Sequence, residues 1–529
     1  MAAAVAPSCD VVVIGSGPAG VAATFPLVEH GVSVLMIDGG VQPDIAPPRG
    51  AYADVRAHDD RQWEWMVGRR FTALREMNAM SPKFRAATLD YVFRQFAAAN
   101  RIESHDFVAV GSLAAGGLSN AWGCGVARIA ANEWEGLPFA EAELAPSYER
   151  VTRRIGVSGA APDDMTAFFG IDGWAEPAVA LDPLHDDVLR RYTRQQAWMR
   201  ARRFRMGHAR VAVLTADRAD GRRACTRSGF CLWGCAEDAL YSARHDLRAL
   251  QRFPGFAYAG GAVVDRLERD GDHWSVRDGA DRIVARARRV VLAAGTLATT
   301  RIALRTLGDL TTAPLLTLPA AAFALWLPRQ LGAPRTAAPG FAQLAFALDE
   351  GRDAACGFTF STHALPVAEF VRASPLMRRS SVRVFAALLS STLVANCFLP
   401  GHHSANALRL AADGVLHIDG SMRPSLAGAL LRTRSVLRAA FLRAHAIMLP
   451  GSFTQGSIGA DAHYAGTLPM RAHPRRGETS ADGEVEGLPG VLIADASALP
   501  SLPAKSHTLA MMACADRLGT HLARTCRGG

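Results

Sequence analysis

The sequence predicts an α/β fold built on a Rossmann-like domain, and three stretches carry the prediction. The first is "DVVVIGSGPAGVAATFPLVEHGVSVLMIDGG", from Asp10. The second is "ARRVVLAAGTLATTRIAL", some 280 residues later, and the third is "GVLIADASALPSLPAKSHTLAMMACADRLG", near the end of the chain. Each sets a short apolar strand before a turn of small residues and then a helix. Three such strand edges in one chain suit convergence on a single extended ligand.

The first stretch gives the most detail. An apolar strand over 11–14 runs into a Gly-rich turn, a helix follows to about residue 30, and a second strand covers 32–37; this is a βαβ unit. Gly15, Gly17 and Gly20 have the G-x-G-x-x-G spacing. The first allows the tight turn, the second lets backbone approach a pyrophosphate, and the third lets helix and strand pack closely. The helix start then turns unpaired N–H groups and the positive end of its dipole toward phosphate. Asp38 closes the second strand, placed to accept hydrogen bonds from a ribose. Pro26 breaks a local rule, since proline inside a helix costs on the order of 3 kcal/mol and should kink it.

In the second stretch a strand over 290–293 leads into Ala294 and Gly295, where a ligand can pass close to backbone, and then into a helix carrying Arg301. In the third, a strand over 491–494 ends at Asp495 and Ala496, ahead of a Pro-punctuated loop and a closing helix.

At 529 residues the chain exceeds one ordinary core, so two domains are expected, with room for a large buried site. Composition, 49% hydrophobic and 20% charged, is that of a soluble globular protein. The net charge of +9 is almost all arginine, Lys83 and Lys505 being the lysines. These arginines fall in short scattered groups without interleaved aromatics, which argues against a nucleic-acid surface. The N-terminus shows neither the basic nor the apolar region of a signal peptide, so a cytoplasmic address is expected, and nine cysteines read as mostly reduced thiols. The apolar run over 384–399 is shorter than the ~20 residues of a spanning helix. It and "LLTLPAAAFALWLP" from Leu315 are read as buried core rather than as a peripheral membrane contact.

Taken in order along the chain, "GSGPAG", "GGLSNAWG" from Gly116, "AAGTLATTRIAL", "HYAGTLPM" and "VLIADASALP" resemble the glucose-methanol-choline (GMC) oxidoreductases. "GGLSNAWG" and the Cys-rich "CTRSGFCLWGC" resemble the bacterial sterol- and sugar-type members most. The resemblance implies FAD in a discontinuous Rossmann-like domain (1–160, 225–310 and 455–529), interleaved with an α+β substrate domain (161–224 and 311–454) whose mainly antiparallel sheet roofs the flavin. It implies that Gly15, Gly17, Gly20 and Asp38 hold the adenosine diphosphate half, that Val264 meets adenine, and that Asp495 lies near the pyrophosphate and ribityl chain. Gly117, Ser119 and Asn120 would lie beside the flavin ring. Some relatives carry a covalently attached histidine in that loop; Asn120 and Ala121 stand there here, so FAD is expected to be non-covalent. The stretch "ALRLAADGVLHID", with an Asp413-Gly414 turn, suits the roof sheet.

Oxidising an alcohol with a flavin needs a hydride acceptor, N5 of FAD, and a group to take the hydroxyl proton; a neutral histidine suits the second role. The family resemblance gives that role to His463 in "HYAGT". The family's partner position, counted back from "ACADR", is Ser506, one residue before the histidine His507. Either the loop shifts to present His507 or Ser506 offers its hydroxyl; His507 is the preferred partner. The expected reaction is dehydrogenation of a hydroxyl on a sugar, sterol-like or specialised metabolite, with an unidentified electron acceptor, oxygen or a redox partner. A lyase or decarboxylase that retains FAD is the alternative. Cys225, Cys231 and Cys235 match no common metal spacing and read as a Cys-rich turn. His363, His402 and His403 read as ordinary surface or core residues, and no metal is expected.

Overall fold

The computed structural model describes residues 8–75, 81–333, 338–363, 365, 371 and 377–527. The N-terminal motif folds as β1 (Ser8–Ile14), α1 (Pro18–Glu29) and β2 (Val34–Asp38). Two later stretches join the same sheet: β3 (Ile283–Leu292), followed by α2 (Thr296–Leu307), and β4 (Val491–Ile493), followed after a loop by α3 (Thr508–Arg527). The strand Phe256–Gly260 pairs with β2, β2 with β1, β1 with β3 and β3 with β4, all parallel. Ten residues long, β3 also pairs through its first half with the antiparallel strand His273–Asp278, which in turn pairs with Val264–Asp270. Helices or loops cover both faces of this sheet, and its strands are accordingly apolar at nearly every position. Val11, Val13, Val34 and Met36 point into one core, and Val12, Ile14, Leu35 and Ile37 into the other.

The small-residue turns recur at the carboxyl ends of these parallel strands, where open α/β sheets place their ligands. α1 packs against α3 so closely that a Cβ on Gly519 would lie 2.1 Å from the Ala23 carbonyl oxygen. Pro26 stays inside α1, in its last turn and on a buried face. Its carbonyl oxygen lies 2.8 Å from Nδ1 of His30, just beyond the helix end.

Among the described residues a second seven-stranded sheet is antiparallel throughout, with strands Ala320–Trp326, Thr392–Phe398, Ala355–Ser361, Leu344–Leu348 and Phe204–His208 as its body. The period-2 alternation of its strands sorts side chains to two faces. Phe323, Leu325, Leu393 and Cys397 meet the helices Pro183–Arg194 and Ser425–Arg443 in their own core. Ala322, Val394, Asn396 and Phe398 turn the other way, into a cavity between this sheet and the first. The two apolar runs lie largely in this sheet: residues 315–328 cover the end of one strand and the whole of Ala320–Trp326, and 384–399 a helix end and Thr392–Phe398. No helix among the described residues is long and apolar enough to cross a membrane.

The stretch around Asp413-Gly414 does form a hairpin, Asn406–Leu410 with Leu416–Asp419, but not in the roof sheet. Among the described residues it sits in a separate five-stranded sheet, between Thr312–Thr317 and the parallel strand Ile102–His105. Leu408, Leu416 and Ile418 there bury against Leu297 and Leu304 of α2, so the hairpin supports α2 rather than the roof.

Candidate active site

The cavity between the sheets measures about 470 Å³ and is walled by the ends of β1, β2, β3 and β4, by the roof strands and by the loop before α3. Its floor is bare backbone at the two helix starts. Gly17 has an ordinary extended conformation, and the atom nearest to a Cβ placed there is 4.0 Å away. A Cβ on Gly295, at φ +87°, would meet nothing within 4 Å. Side chains at either position would therefore project into space the cavity uses. Gly15 and Gly20 differ: a Cβ would lie 2.2 Å from the Ala293 oxygen and 1.9 Å from the Gly15 oxygen respectively. These two glycines let β1, β3 and α1 approach one another, and Gly20 lies behind the wall.

Asp38 reaches the wall from the end of β2, and three donors hold it: the Ser16 hydroxyl, the Tyr258 hydroxyl at 2.6 Å and the Gly40 N–H at 2.8 Å. Burial raises its pKa, and these hydrogen bonds work in the opposite direction. A carboxylate offers about four lone-pair sites, so three donors leave one for a ligand hydroxyl. Val264, Ala294 and Ala496 also line the wall. Asp495 is 3% exposed and accepts from Gly295 N at 2.9 Å, Thr299 Oγ1 at 2.5 Å and Ser497 N at 3.0 Å. It fixes the start of α2 and the turn after β4, and presents their backbone to the cavity.

In "GGLSNAWG" a short 3-10 turn, Gly117–Asn120, places Gly117 against Gly17, with Gly117 and Ser119 on the wall. Ser119 Oγ donates to Gly116 O and accepts from Ala243 N at 2.8 Å. The Asn120 amide is used within the loop: it donates to the carbonyls of Ala115 and Gly117 and accepts from Ser242 Oγ. Asn120 is thus a buttress behind the wall and not a group offered to a ligand.

At the roof end of the cavity stand the two histidines. His463 Nδ1 lies 3.1 Å from Asp461 Oδ2, which also accepts the His463 backbone N–H at 3.2 Å. Ala462 between them has φ +59°, the left-handed region that a non-glycine residue rarely occupies, and this bend folds the Asp461 carboxylate beneath the ring. Thr296 and Thr300 of α2 hold the turn from below through Tyr464 O at 3.0 Å and Thr467 Oγ1 at 2.6 Å. The His463 ring meets Phe398 of the roof edge-on at 5.2 Å and His507 at 5.5 Å. His507 is buried, which pushes its pKa down to about 3; the neighbouring His463 charge adds to this. Its Nδ1 is buried without a hydrogen-bond partner among the described residues. Ser506 also lines the cavity, but its hydroxyl points to the Gly125 loop, 3.2 Å from where a Cβ on Gly125 would be.

Sequence reasoning missed Asp461, Ser16 and Tyr258. Asp461 has a readable signal, an acid two residues before the histidine. Tyr258 has none, being 220 residues from Asp38. Cys225, Cys231 and Cys235 are free and pack against the core, with Cys231 on the cavity wall. Burial pushes the Cys231 thiol up to about 12, and its sulfur accepts from Gly340 N at 3.3 Å.

Residues 418–515, which hold Asp461, His463, Asp495 and His507, match the family model of the GMC oxidoreductases. Residues 8–59, which hold the glycine motif and Asp38, match an FAD binding domain. Two stretches at opposite ends of the chain thus match a GMC oxidoreductase model and an FAD binding domain model. Solved structures of the same fold match this chain almost end to end. Pyridoxine 4-oxidase from Mesorbium loti is 15% identical over 98% of this chain and 99% of its own, with a TM-score of 0.57. Formate oxidase is 12% identical over 99% of both chains, with a TM-score of 0.61, and a variant of the Aspergillus oryzae RIB40 formate oxidase is 12% identical over the same shares with a TM-score of 0.59. No curated protein matches this chain in sequence. The cavity fits FAD on its own chemistry: two helix starts with bare glycine backbone for the pyrophosphate, and a buried carboxylate with a lone pair to spare for a ribose.

Proposed function

We propose that the enzyme dehydrogenates a hydroxyl-bearing carbon of a small, largely apolar molecule, with His463 taking the hydroxyl proton and His507 holding the substrate oxygen. The observation that carries this is the pair of imidazoles 5.5 Å apart on the cavity wall, one backed by a carboxylate and the other buried. Non-covalently bound FAD supplies the acceptor for the hydrogen that leaves carbon with its electron pair. The substrate CH–OH thereby becomes C=O, two electrons leave it, and an external acceptor, oxygen or a redox partner, carries them away.

The two histidines divide the proton work by environment. With its Nδ1 proton donated to Asp461, His463 keeps the Nε2 lone pair as the base, and the carboxylate stabilises the imidazolium that forms. A second positive ring 5.5 Å away would oppose that charge. His507 stays neutral across the working pH range because of its burial, so it can hydrogen-bond the substrate oxygen without adding repulsion. Ser506, turned toward Gly125, does not share this task.

The roof supports the substrate class. Phe341, Phe358, Phe360, Val394 and Phe398 line it, and a polyhydroxylated sugar would leave its hydroxyls unpaired against them. A sterol-like or aromatic alcohol satisfies the same walls. The test is anaerobic mixing of the enzyme with alcohols ranging from sterols and benzylic alcohols to sugars, following flavin absorbance. Apolar alcohols should bleach the flavin. Bleaching by none of them would overturn the reaction, and bleaching by sugars alone would overturn the substrate class.

A further inference from the structure

Outside the cavity, two turns bring together side chains that the cavity does not use. Asp353 lies in the turn Gly351–Asp353 of the roof sheet, and His402 and His403 lie in the turn Gly401–His403 after the strand Thr392–Phe398. Nε2 of His402 is 3.3 Å, and Nε2 of His403 is 3.1 Å, from the same oxygen, Asp353 Oδ1. We propose that Asp353, His402 and His403 form a divalent-metal site, with zinc as the ion that best suits two imidazoles and one carboxylate.

The distances are those of a coordination shell. Ligand atoms about 2.0–2.1 Å from a tetrahedral zinc stand about 3.3 Å from one another. The two observed Nε2–Oδ1 separations sit at that edge length, and the potential ligand atoms of all three residues fall within 4.8 Å of one another. The rings lie side by side, with centroids 4.2 Å apart. Among the described residues no other group of three histidine, cysteine or acidic side chains converges this closely.

His403 supplies the second observation. The residue is 1% exposed, and its Nε2 is buried without a hydrogen-bond partner among the described residues. Asp353 Oδ1 is close enough but lies off the direction in which the ring N–H would point. An ion between the three groups takes that lone pair. The outer contacts are those a metal ligand needs: His403 Nδ1 is 3.1 Å from Ser425 Oγ, which fixes the ring, and Arg432 binds the other carboxylate oxygen at 2.7 Å, leaving Oδ1 free. Asp353 and His402 are about one-third exposed, so an ion can enter from solvent and a water can fill the fourth position. The turn Gly401–His403 is also tied to the loop before α3, where Gly401 N donates to Leu502 O at 2.8 Å. A metal here would fasten the roof hairpin, the start of the helix Ser425–Arg443 and the loop leading to His507.

The experiment uses untagged holoenzyme, dialysed with zinc, desalted and analysed for metal by mass spectrometry alongside its flavin content. Wild type should retain one zinc per chain more than Asp353→Asn or His402→Gln, both partly exposed positions, at equal flavin content. Ser425→Ala should keep the site but bind zinc 10–100-fold more weakly. Zinc should raise the Tm of wild type and leave that of Asp353→Asn unmoved. Retention of the same zinc by wild type and both ligand variants, as binding at the cysteines would produce, overturns the proposal. So does the absence of any stoichiometric zinc in wild type.

Discussion

Replacing His507 by asparagine should make the enzyme less sensitive to acid, and the size of the effect follows from where the ring sits. The residue is 7% exposed, and burial, with a smaller contribution from His463, takes its pKa from 6.5 to about 3. The unfolded chain takes up this proton near pH 6.5, whereas the folded chain waits until about pH 3. Because the folded pKa is the lower one, folding carries no penalty above pH 6.5. Stability is lost as pH falls from 6.5 toward about 3, where the unfolded state binds the extra proton. At pH 5 the loss is about 2 kcal/mol, from about 1.5 pH units at 1.36 kcal/mol each. An unfolding entropy of about 2.1 cal/mol/K per residue makes this a drop of about 2 °C in Tm for a chain of this length. Scanning calorimetry at pH 7.5 and pH 5, at one scan rate and with FAD in fixed excess, should show wild type losing about 2 °C more than His507→Asn. Equal losses would mean that the ring protonates as readily folded as unfolded, and its role as a permanently neutral partner of His463 would fall.

His463→Asn should retain FAD but slow anaerobic flavin reduction by about 10²–10⁴-fold, the usual contribution of a positioned base; a near-normal rate in stopped flow would remove the base assignment. Asp461→Asn loses a charge-assisted hydrogen bond worth about 1.5–3 kcal/mol and should slow the same step by about 10–100-fold. An unchanged rate there would reduce Asp461 to a turn former. Gly17→Ala fits its backbone angles and has room for the methyl, so the apoprotein should melt normally while its Kd for FAD rises at least about tenfold, since the methyl occupies pyrophosphate space. Gly15→Ala, with its Cβ 2.2 Å from Ala293 O, should instead lower the Tm of the apoprotein itself. Circular-dichroism melts and fluorescence titration with FAD separate the two, and identical behaviour would undo the distinction between a cradle glycine and a packing glycine.

Much of the first sheet was legible because its determinants are local. The glycines at 15, 17 and 20 constrain a turn, a cradle and a helix–strand contact within six residues, and Asp38 ends the strand that follows. The end of the second strand moved by one residue, since the ladder with Phe256–Gly260 carries β2 through Asp38. Pro26 shows where a local rule loses to packing. In the last turn of α1 it forfeits one hydrogen bond, and the ring is buried in return. The hairpin at Asp413-Gly414 was readable as a hairpin, but its alternation of apolar residues says only that one face is covered. Whether the roof or α2 covers it is decided by Leu297 and Leu304, more than a hundred residues earlier.

The site divides along the same line between local and long-range information. His463 and Asp461 are two residues apart, and the bend at Ala462 that joins them is local, so a sequence can signal the pair. The choice between Ser506 and His507 is not local: they are adjacent residues on a loop end, and only the position of His463 across the cavity shows that the His507 ring stands beside it. The same limit applied at the roof. His402 and His403 read as ordinary histidines because a pair of neighbouring imidazoles has no preferred partner in sequence. Asp353 becomes their third member only when the hairpin turn Gly351–Asp353 is brought beside them by the pairing of Ala355–Ser361 with Thr392–Phe398. A chemistry-bearing residue is thus legible alone when its partner is a neighbour in the chain. When its partner arrives through sheet pairing, the fold must be known before the chemistry can be read.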